Sequence, residues 1–155
     1  MRLSASGAEL RQSLRIPHHE GQEFRRSEVA KPAEPKFPSE DLYSIVAINQ
    51  KMVYDVEQVM ARLTDNSEHM EFRPGYGPEV YTGLVKIDGF LMGVIGNRQG
   101  FLPKGYPEYA PYPGVGGKLY RQGLIKMNEF VVHCGRDRVP IVWVQDTTGI
   151  DVGDI

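Results

Sequence analysis

The sequence predicts a mixed α/β (α+β) fold, and three observations carry that expectation. Two short apolar runs, VYTGLVKI (80–87) and FLMGVIG (90–96), flank Asp88-Gly89, a dipeptide suited to the positive φ angles of a two-residue hairpin turn. Tyr120, Leu124, Met127, Val131 and Cys134 then recur at helical spacing. A further apolar run, IVWV (141–144), follows that helix after Pro140. The resulting order is strand–strand–helix–strand, with a glycine-rich loop leading into the helix.

Residues 1–38 read as an extended linker or arm. Arg, Glu, Ser and Pro dominate there, and the three prolines of KPAEPKFP (31–38) favour extended backbone and exclude a helix interior. One short helix is expected from Ala8 to Leu14, and without partners the arm should be loosely ordered. Ser39, followed by Glu40 and Asp41, marks a helix start with acids at the positive end of the dipole, and Leu42, Ile45 and Val46 share a face. A second helix begins at Asp55, with Gln58 placed as in a capping box and Val56, Val59, Met60 and Leu63 as its buried stripe.

The second strand of the hairpin, apolar almost throughout, is expected to be buried on both faces. The loop 101–117 is rich in Tyr, Pro and Gly, suggesting either a lid or interface loop or plain solvent-exposed turns. Gly135 is placed to close the long helix in a left-handed conformation. The strand IVWV runs out into QDTTGIDVG (145–153), two residues before Ile155. A sheet is normally continued after such a strand, so the sequence is expected to stop inside a domain.

Bulk properties exclude several classes of function. The formal charge of −2 comes from interspersed acids and bases, which leaves no basic field for nucleic acid and no cationic run for a membrane surface. The single cysteine, Cys134, forbids an internal disulfide and suits a reducing compartment. Apolar stretches are too short to span a bilayer, and MRLSASGAEL lacks the apolar core of a secretory signal. A cytoplasmic protein is the expectation.

Side chains for direct chemistry are scarce. His18, His19, His69 and His133 show no metal-ligand spacing, and adjacent His133 and Cys134 would point about 100° apart on a helix. No metal site is expected. No GxSxG elbow is present, and Cys134 lies on a buried stripe. GVGGK (114–118) places glycines before a helix, which admits either a phosphate-binding loop or simply a flexible helix entry. QDTTGID (145–151) sits at the carboxyl end of a buried strand, where α/β proteins place ligand sites. The amides of Gly149 and Ile150 could there point at an oxyanion, or the segment could be an Asx-type turn with nothing bound.

Three longer blocks add a resemblance. EPKFPSEDLYSIVAINQKMVYDVEQVMARLTD (34–65), GFLMGVIGNRQG (89–100) and GGKLYRQGLIKMNEFVVHCGRDRVPIVWVQDTTGIDVG (116–153) resemble, in order and spacing, the carboxyltransferase family of biotin-dependent enzymes. Within it they are most like the branch that decarboxylates glutaconyl-CoA. The resemblance spans roughly residues 30–155.

The resemblance implies a partial crotonase-like fold, a spiral of strand–strand–helix units, with residues 39–155 forming the N-terminal half of a C-terminal carboxyltransferase domain. The implied reaction moves a carboxyl group from an acyl-CoA thioester to biotin held on a partner protein or domain. Backbone amides would stabilise the thioester enolate and the ureido oxyanion. In the decarboxylase branch the carboxylated biotin would pass to a sodium-pumping membrane partner. Implied partners are a biotin carrier subunit, membrane decarboxylase subunits and further copies of the subunit, with no nucleic acid. The protein would then lie in the cytoplasm, at the inner membrane face through those partners. Gly149 and Ile150 are the implied oxyanion donors, and Gly149, Ile150, Val152 and Gly153 the implied biotin-side residues. The family's first domain, and a later Gly/Ala-rich loop supplying a second donor, have no counterpart in this sequence, so the chain alone is expected to be inactive. Two alternatives stand beside this: a carboxylase subunit for another acyl-CoA, of methylcrotonyl-CoA or propionyl-CoA type, and a non-catalytic interaction module.

Overall fold

The structure, a computed structural model, describes residues 30–46, 49 and 52–151. The expected helix at Ala8–Leu14, His18 and His19 therefore lie outside the described residues, as do Val152 and Gly153. Residues 30–38 are extended, as their prolines require, and they are anchored. Ala30 N donates to Gly89 O (2.9 Å), Asn66 N donates to Glu34 O (3.3 Å), and Lys36 N donates to Ser67 Oγ (2.8 Å).

A 3₁₀ turn at Ser39–Asp41 runs into the single-turn helix α1 (Leu42–Ile45). Helix α2 (Val56–Leu63) buries the stripe read from the sequence, Val56, Val59, Met60 and Leu63. Its cap differs from a capping box. Asp55 accepts from Glu57 N (2.8 Å), while Gln58 turns outward to accept from Arg62 Nη1 (3.0 Å). The i, i+4 partner thus wins Gln58 away from the helix start.

Strands β1 (His69–Glu71), β2 (Val80–Ile87) and β3 (Phe90–Asn97) form an antiparallel run. The β2–β3 turn is the expected one, with Asp88 at φ 54° and Gly89 at φ 81°, and Ile87 pairs with Phe90 across it. Helix α3 (Arg121–Asp137) then carries the chain over to β5 (Ile141–Val144), which lies parallel to β3. A parallel pair needs such a crossover. Two-residue strands β4 (Lys118–Leu119) and β6 (Gly149–Ile150) pair in parallel as a second, small sheet. The main sheet has the order β1-β2-β3-β5.

Helices cover both faces of the main sheet. On one face Tyr81, Val85, Ile87, Met92 and Val94 pack with α1 and α2. On the other, Val80 and Ile95 pack with Phe130 and Cys134 of α3. Burial of β3 on both faces follows, as its unbroken apolar run requires. Gly93 makes the close approach of α3 possible, since a Cβ there would sit 2.9 Å from Cys134 Sγ.

Two expectations for α3 are corrected. The buried residues are Gly123, Lys126, Phe130 and Cys134, so the inner face is rotated, and Val131 is 37% exposed. Lys126 turns inward because its Nζ reaches Val80 O (2.8 Å) and Glu71 Oε1 (3.2 Å). The left-handed closing residue is Arg138 (φ 55°) rather than Gly135, and Val139 N closes back on Cys134 O (2.8 Å).

The start of α3 is capped from a distant strand end. Glu79, fully buried, accepts from Tyr120 N (3.0 Å) and from the Tyr106 hydroxyl (2.7 Å), which places a carboxylate at the positive end of the helix. Gly123 lies against that carboxylate, and a Cβ there would collide with Glu79 Oε1, whereas Gly135 has nothing within 4 Å. The two glycines of one helix should therefore respond oppositely to alanine. Gly123→Ala is expected to lower stability by about 1–3 kcal/mol through overpacking. Gly135→Ala is expected to raise it by roughly 0.5–1 kcal/mol through helix propensity. Urea titration of both variants checks the sign of each.

Candidate functional site: the loop cluster at the carboxyl end of the sheet

Because β3 and β5 are parallel, the loops that leave them emerge on the same end of the sheet. Asn97 ends β3 and residues 98–100 follow it, while residues 145–151 follow β5. The glycine strap 114–118 packs beside both. Gly116 N donates to Gly100 O (2.6 Å) and Gly117 N donates to Arg98 O (2.9 Å). Side chains are excluded here for steric reasons, since a Cβ at Gly116 would collide with Arg98 O. GVGGK is thus a strap fastened through these two amides, and its phosphate-loop alternative loses the donors it would need.

The strand exit is gripped from two sides. On the β3 side, Asn97 Oδ1 accepts from Asp146 N (3.1 Å) and Gln99 Nε2 donates to Asp146 O (2.8 Å). On the strap side, Gly117 O accepts from Thr148 N (2.8 Å) and from the Thr147 hydroxyl (2.7 Å). Asp151 N donates to Leu119 O (2.9 Å), and Lys118 Nζ pairs with Asp151 Oδ1 (2.9 Å). Asp146 also sits beside Tyr54. Burial, with that carboxylate next to it, pushes the Tyr54 phenol up to about 12.

Gly149 adopts φ 123°, a conformation only glycine holds without strain, and no atom lies within 4 Å of where its Cβ would stand. Its amide donates to the Thr147 hydroxyl (3.1 Å), which in turn donates to Gly117 O. Ile150 pairs with Leu119 in β6 and leaves its side chain 57% exposed. Both sequence-marked residues therefore sit on the short strand beside the strap, with open space in front of Gly149. Sequence reasoning marked Thr147 only as part of QDTTGID and gave Asn97 and Gln99 no role in the cluster. NRQG carried no signal beyond being polar after a strand, and only the parallel pairing of β3 with β5 brings it to QDTTGID.

Behind the cluster lies a charged cage. Arg98 donates to both oxygens of Glu71 (3.0 Å each) and to Glu57 (2.6 Å), with the Tyr81 ring 5.5 Å from its guanidinium. Lys126 completes it from α3. Burial works against the charge on Glu71, but the Arg98 hydrogen bonds and charge, with Lys126, outweigh it and hold this carboxyl below its usual range. Burial pulls the Lys126 ammonium down despite Glu71. Among the described residues no group of three His, Cys, Asp or Glu side chains is placed to hold a metal ion, and no helix is long and apolar enough to cross a membrane. Cys134 is buried and its thiol is pushed up by that burial, which leaves it a packing residue.

A separate concavity of about 360 Å³ opens between the 106–109 loop and the start of α3, lined by Tyr76, Tyr106, Pro107, Tyr109, Arg121 and Ile125. Beneath it Leu102, Tyr106 and Tyr120 form a small core of their own. The glycine strap borders both places: Gly114 N donates to Tyr106 O (2.8 Å) at one end, and Gly117 O holds Thr147 and Thr148 at the other.

A helix-covered sheet whose strand exits and glycine strap converge on one turn is the architecture of the crotonase-like class, here in part. The likeness to a solved structure makes that class concrete. The transcarboxylase 12S crystal structure, a hexamer assembly with methylmalonyl-coenzyme A and methylmalonic acid bound, matches with a TM-score of 0.63 and 26% identity, over 81% of this chain and 22% of that one. The chain belongs to the carboxyl transferase domain family, which it matches over residues 9–154. It is similar to the glutaconyl-CoA decarboxylase subunit alpha of Acidaminococcus fermentans, at 57% identity over 90% of this chain and 23% of that protein. It is also similar to the biotin-dependent 3-methylcrotonyl-coenzyme A carboxylase beta1 subunit of Mycobacterium tuberculosis, at 27% identity over 81% of this chain and 20% of that protein. The chain thus spans about a fifth of the length of the relatives it matches. The family and the crotonase-like fold expected from the resemblance are both borne out.

The cage has a pH signature. A carboxyl held below its unfolded value contributes stability that is complete above the unfolded range and is lost as pH falls through the folded one. Stability should therefore decline on acidification below about pH 4, near the unperturbed Glu value. Lys126, also pulled down, carries the same sign through its own, higher window: its burial cost is relieved as pH rises, and it adds nothing to the acid limb. Glu71→Gln is expected to cost about 3 kcal/mol at neutral pH by leaving Arg98 and Lys126 without their shared carboxylate. The same change should flatten the acid limb. Denaturant midpoints between pH 3 and 7, for both proteins, give the answer.

Proposed function

We propose that this chain supplies the biotin-facing turn of an acyl-CoA carboxyltransferase that takes the carboxyl group of glutaconyl-CoA. One observation carries the reading: the QDTTGID turn, held at the carboxyl end of a parallel strand with open space before Gly149, in a sequence 57% identical to a glutaconyl-CoA decarboxylase alpha subunit. Residues 39–155 form the N-terminal half of a C-terminal carboxyltransferase domain, with the preceding residues as its linker.

The site fits biotin through what it lacks. A glycine with nothing at its Cβ position lets a planar ureido ring approach the main chain. Bound on a partner, biotin supplies the nitrogen that accepts the carboxyl group. The chain's own part is electrostatic. Transfer loads negative charge onto an oxygen, and the amides of Gly149 and Ile150 lie on the turn that can meet it. A preorganised donor of this kind is worth about 3–4 kcal/mol of barrier. No side-chain acid or base is required of this segment.

Partners follow from the same reading. A biotin carrier subunit brings the acceptor, further copies of the subunit assemble with it, and membrane decarboxylase subunits receive the carboxyl group at the cytoplasmic face. That the transcarboxylase 12S structure is a hexamer assembly supports the self-assembly.

The complete polypeptide carrying this segment, supplied with glutaconyl-CoA and biotin, is expected to transfer the carboxyl group, and the 155-residue chain alone is expected to be inert. Gly149→Pro removes the amide and cannot reach φ 123°, so kcat should fall by about 10²–10³. A radiolabelled carboxyl-transfer assay reads all three. A complete polypeptide without transfer, or a Gly149→Pro protein with full turnover, would sink the proposal.

A further inference from the structure

We infer that Gln99, with Asn97 beside it, is a positioning residue for the strand-exit turn, acting as a side-chain extension of the β3–β5 ladder. This rests on the proposed role of Gly149. The backbone pairing of the two strands ends at Gly96 with Val144. At the next residue beyond β5 that would bond across, Asp146, side chains take over. Asn97 Oδ1 accepts from its N–H (3.1 Å) and Gln99 Nε2 donates to its carbonyl (2.8 Å). Both main-chain polar groups of one residue are therefore held from a single strand end, which fixes its place and its orientation.

Three features make this a device for geometry and not only the satisfaction of polar groups. Gln99 meets the Asp146 carbonyl in an exposed place, so water could serve that carbonyl at little desolvation cost. The glycine at 117 creates the room the strut needs, because a Cβ there would stand 3.0 Å from Gln99 Oε1. Finally, the residues directly after Asp146 are gripped from the other side, with Thr147 and Thr148 both bonded to Gly117 O. The turn is thereby clamped between two loops three residues before the amide that faces the reaction. Small displacements of such a donor carry large kinetic consequences.

A series at Gln99 in the complete polypeptide tests this, because Gln99 is only half-buried and its replacement should leave the fold intact. Gln99→Met keeps the length and deletes the donor. Gln99→Glu sets an acceptor against the Asp146 carbonyl, and Gln99→Lys restores a donor. With glutaconyl-CoA and biotin as substrates, kcat is expected to fall about fivefold for Gln99→Met, the worth of one hydrogen bond, and about tenfold for Gln99→Glu. Gln99→Lys should recover most of the loss, with Tm and the KM for glutaconyl-CoA unchanged throughout. Wild-type kcat in both Gln99→Met and Gln99→Glu, while Gly149→Pro is inert, would overturn the clamp and leave the proposed function standing. So would a loss that tracks a lower Tm and that lysine does not recover. A wild-type polypeptide with no transfer at all overturns the proposed function first, and the clamp with it.

Discussion

The two oxygens of Asp65 accept from the amides of Asp88 (2.9 Å) and Gly89 (2.7 Å), and the arrangement at the other end of the sheet depends on that grip. Asp65 is only 5% exposed, so these are charge-assisted bonds in a poorly solvated place. They tie the end of α2 to the tip of the β2–β3 hairpin. The hairpin register follows from the turn, and in a sheet buried on both faces a slip of one residue exchanges the two sets of side chains. Tyr81, Val85 and Ile87 would then meet α3, and Val80 and Leu84 would meet α2. Gly93 and Gly96 would no longer lie where Phe130 and Val56 approach the strand most closely.

Correct register delivers Asn97, Arg98 and Gln99 to the carboxyl end with alternating tasks. The side chains of Asn97 and Gln99 reach the strand exit. Arg98 points the other way, into the Glu71–Glu57 cage, while its main-chain carbonyl receives the Gly117 amide. One residue thus joins β1, α2 and the glycine strap. Replacing a buried ion pair by apolar residues is often neutral for stability, so the cage is better understood as a device for orientation than as a source of folding energy. It holds the backbone of residue 98 against the strap, and the strap holds residues 147 and 148.

Local signals in the sequence were enough for the hairpin turn, the stripe of α2 and the strand IVWV. Each of these is decided by neighbours in the chain: a dipeptide with positive φ, a period of 3.6, a bounded apolar run. What could not be read locally was decided by distant partners. His69–Glu71 is only three residues long, and it becomes β1 because β2 offers it an edge. Lys126 lies off the apolar stripe read from the sequence, and its burial depends on a carboxylate 55 residues away. The candidate site divides in the same way. QDTTGID was legible as a polar exit from a buried strand, but the residues that hold it lie 47 and 49 positions upstream, and no spacing rule connects them.

On the proposed reading, the hydroxyl of Thr147 holds the Gly149 amide in a bond that a charged oxygen can replace. Its proton goes to Gly117 O, so what it offers Gly149 N is a lone pair of a neutral oxygen. A neutral acceptor binds an amide roughly half as strongly as an anionic one. On the proposed reading, an oxygen gaining negative charge during carboxyl transfer therefore outcompetes Thr147 for the Gly149 amide. The hydroxyl meanwhile keeps its bond to Gly117 and the turn keeps its place. The preference for the charged form comes from the chemistry of the acceptor, and the clamp on Asp146 and Gly117 keeps the amide from moving when the acceptor changes.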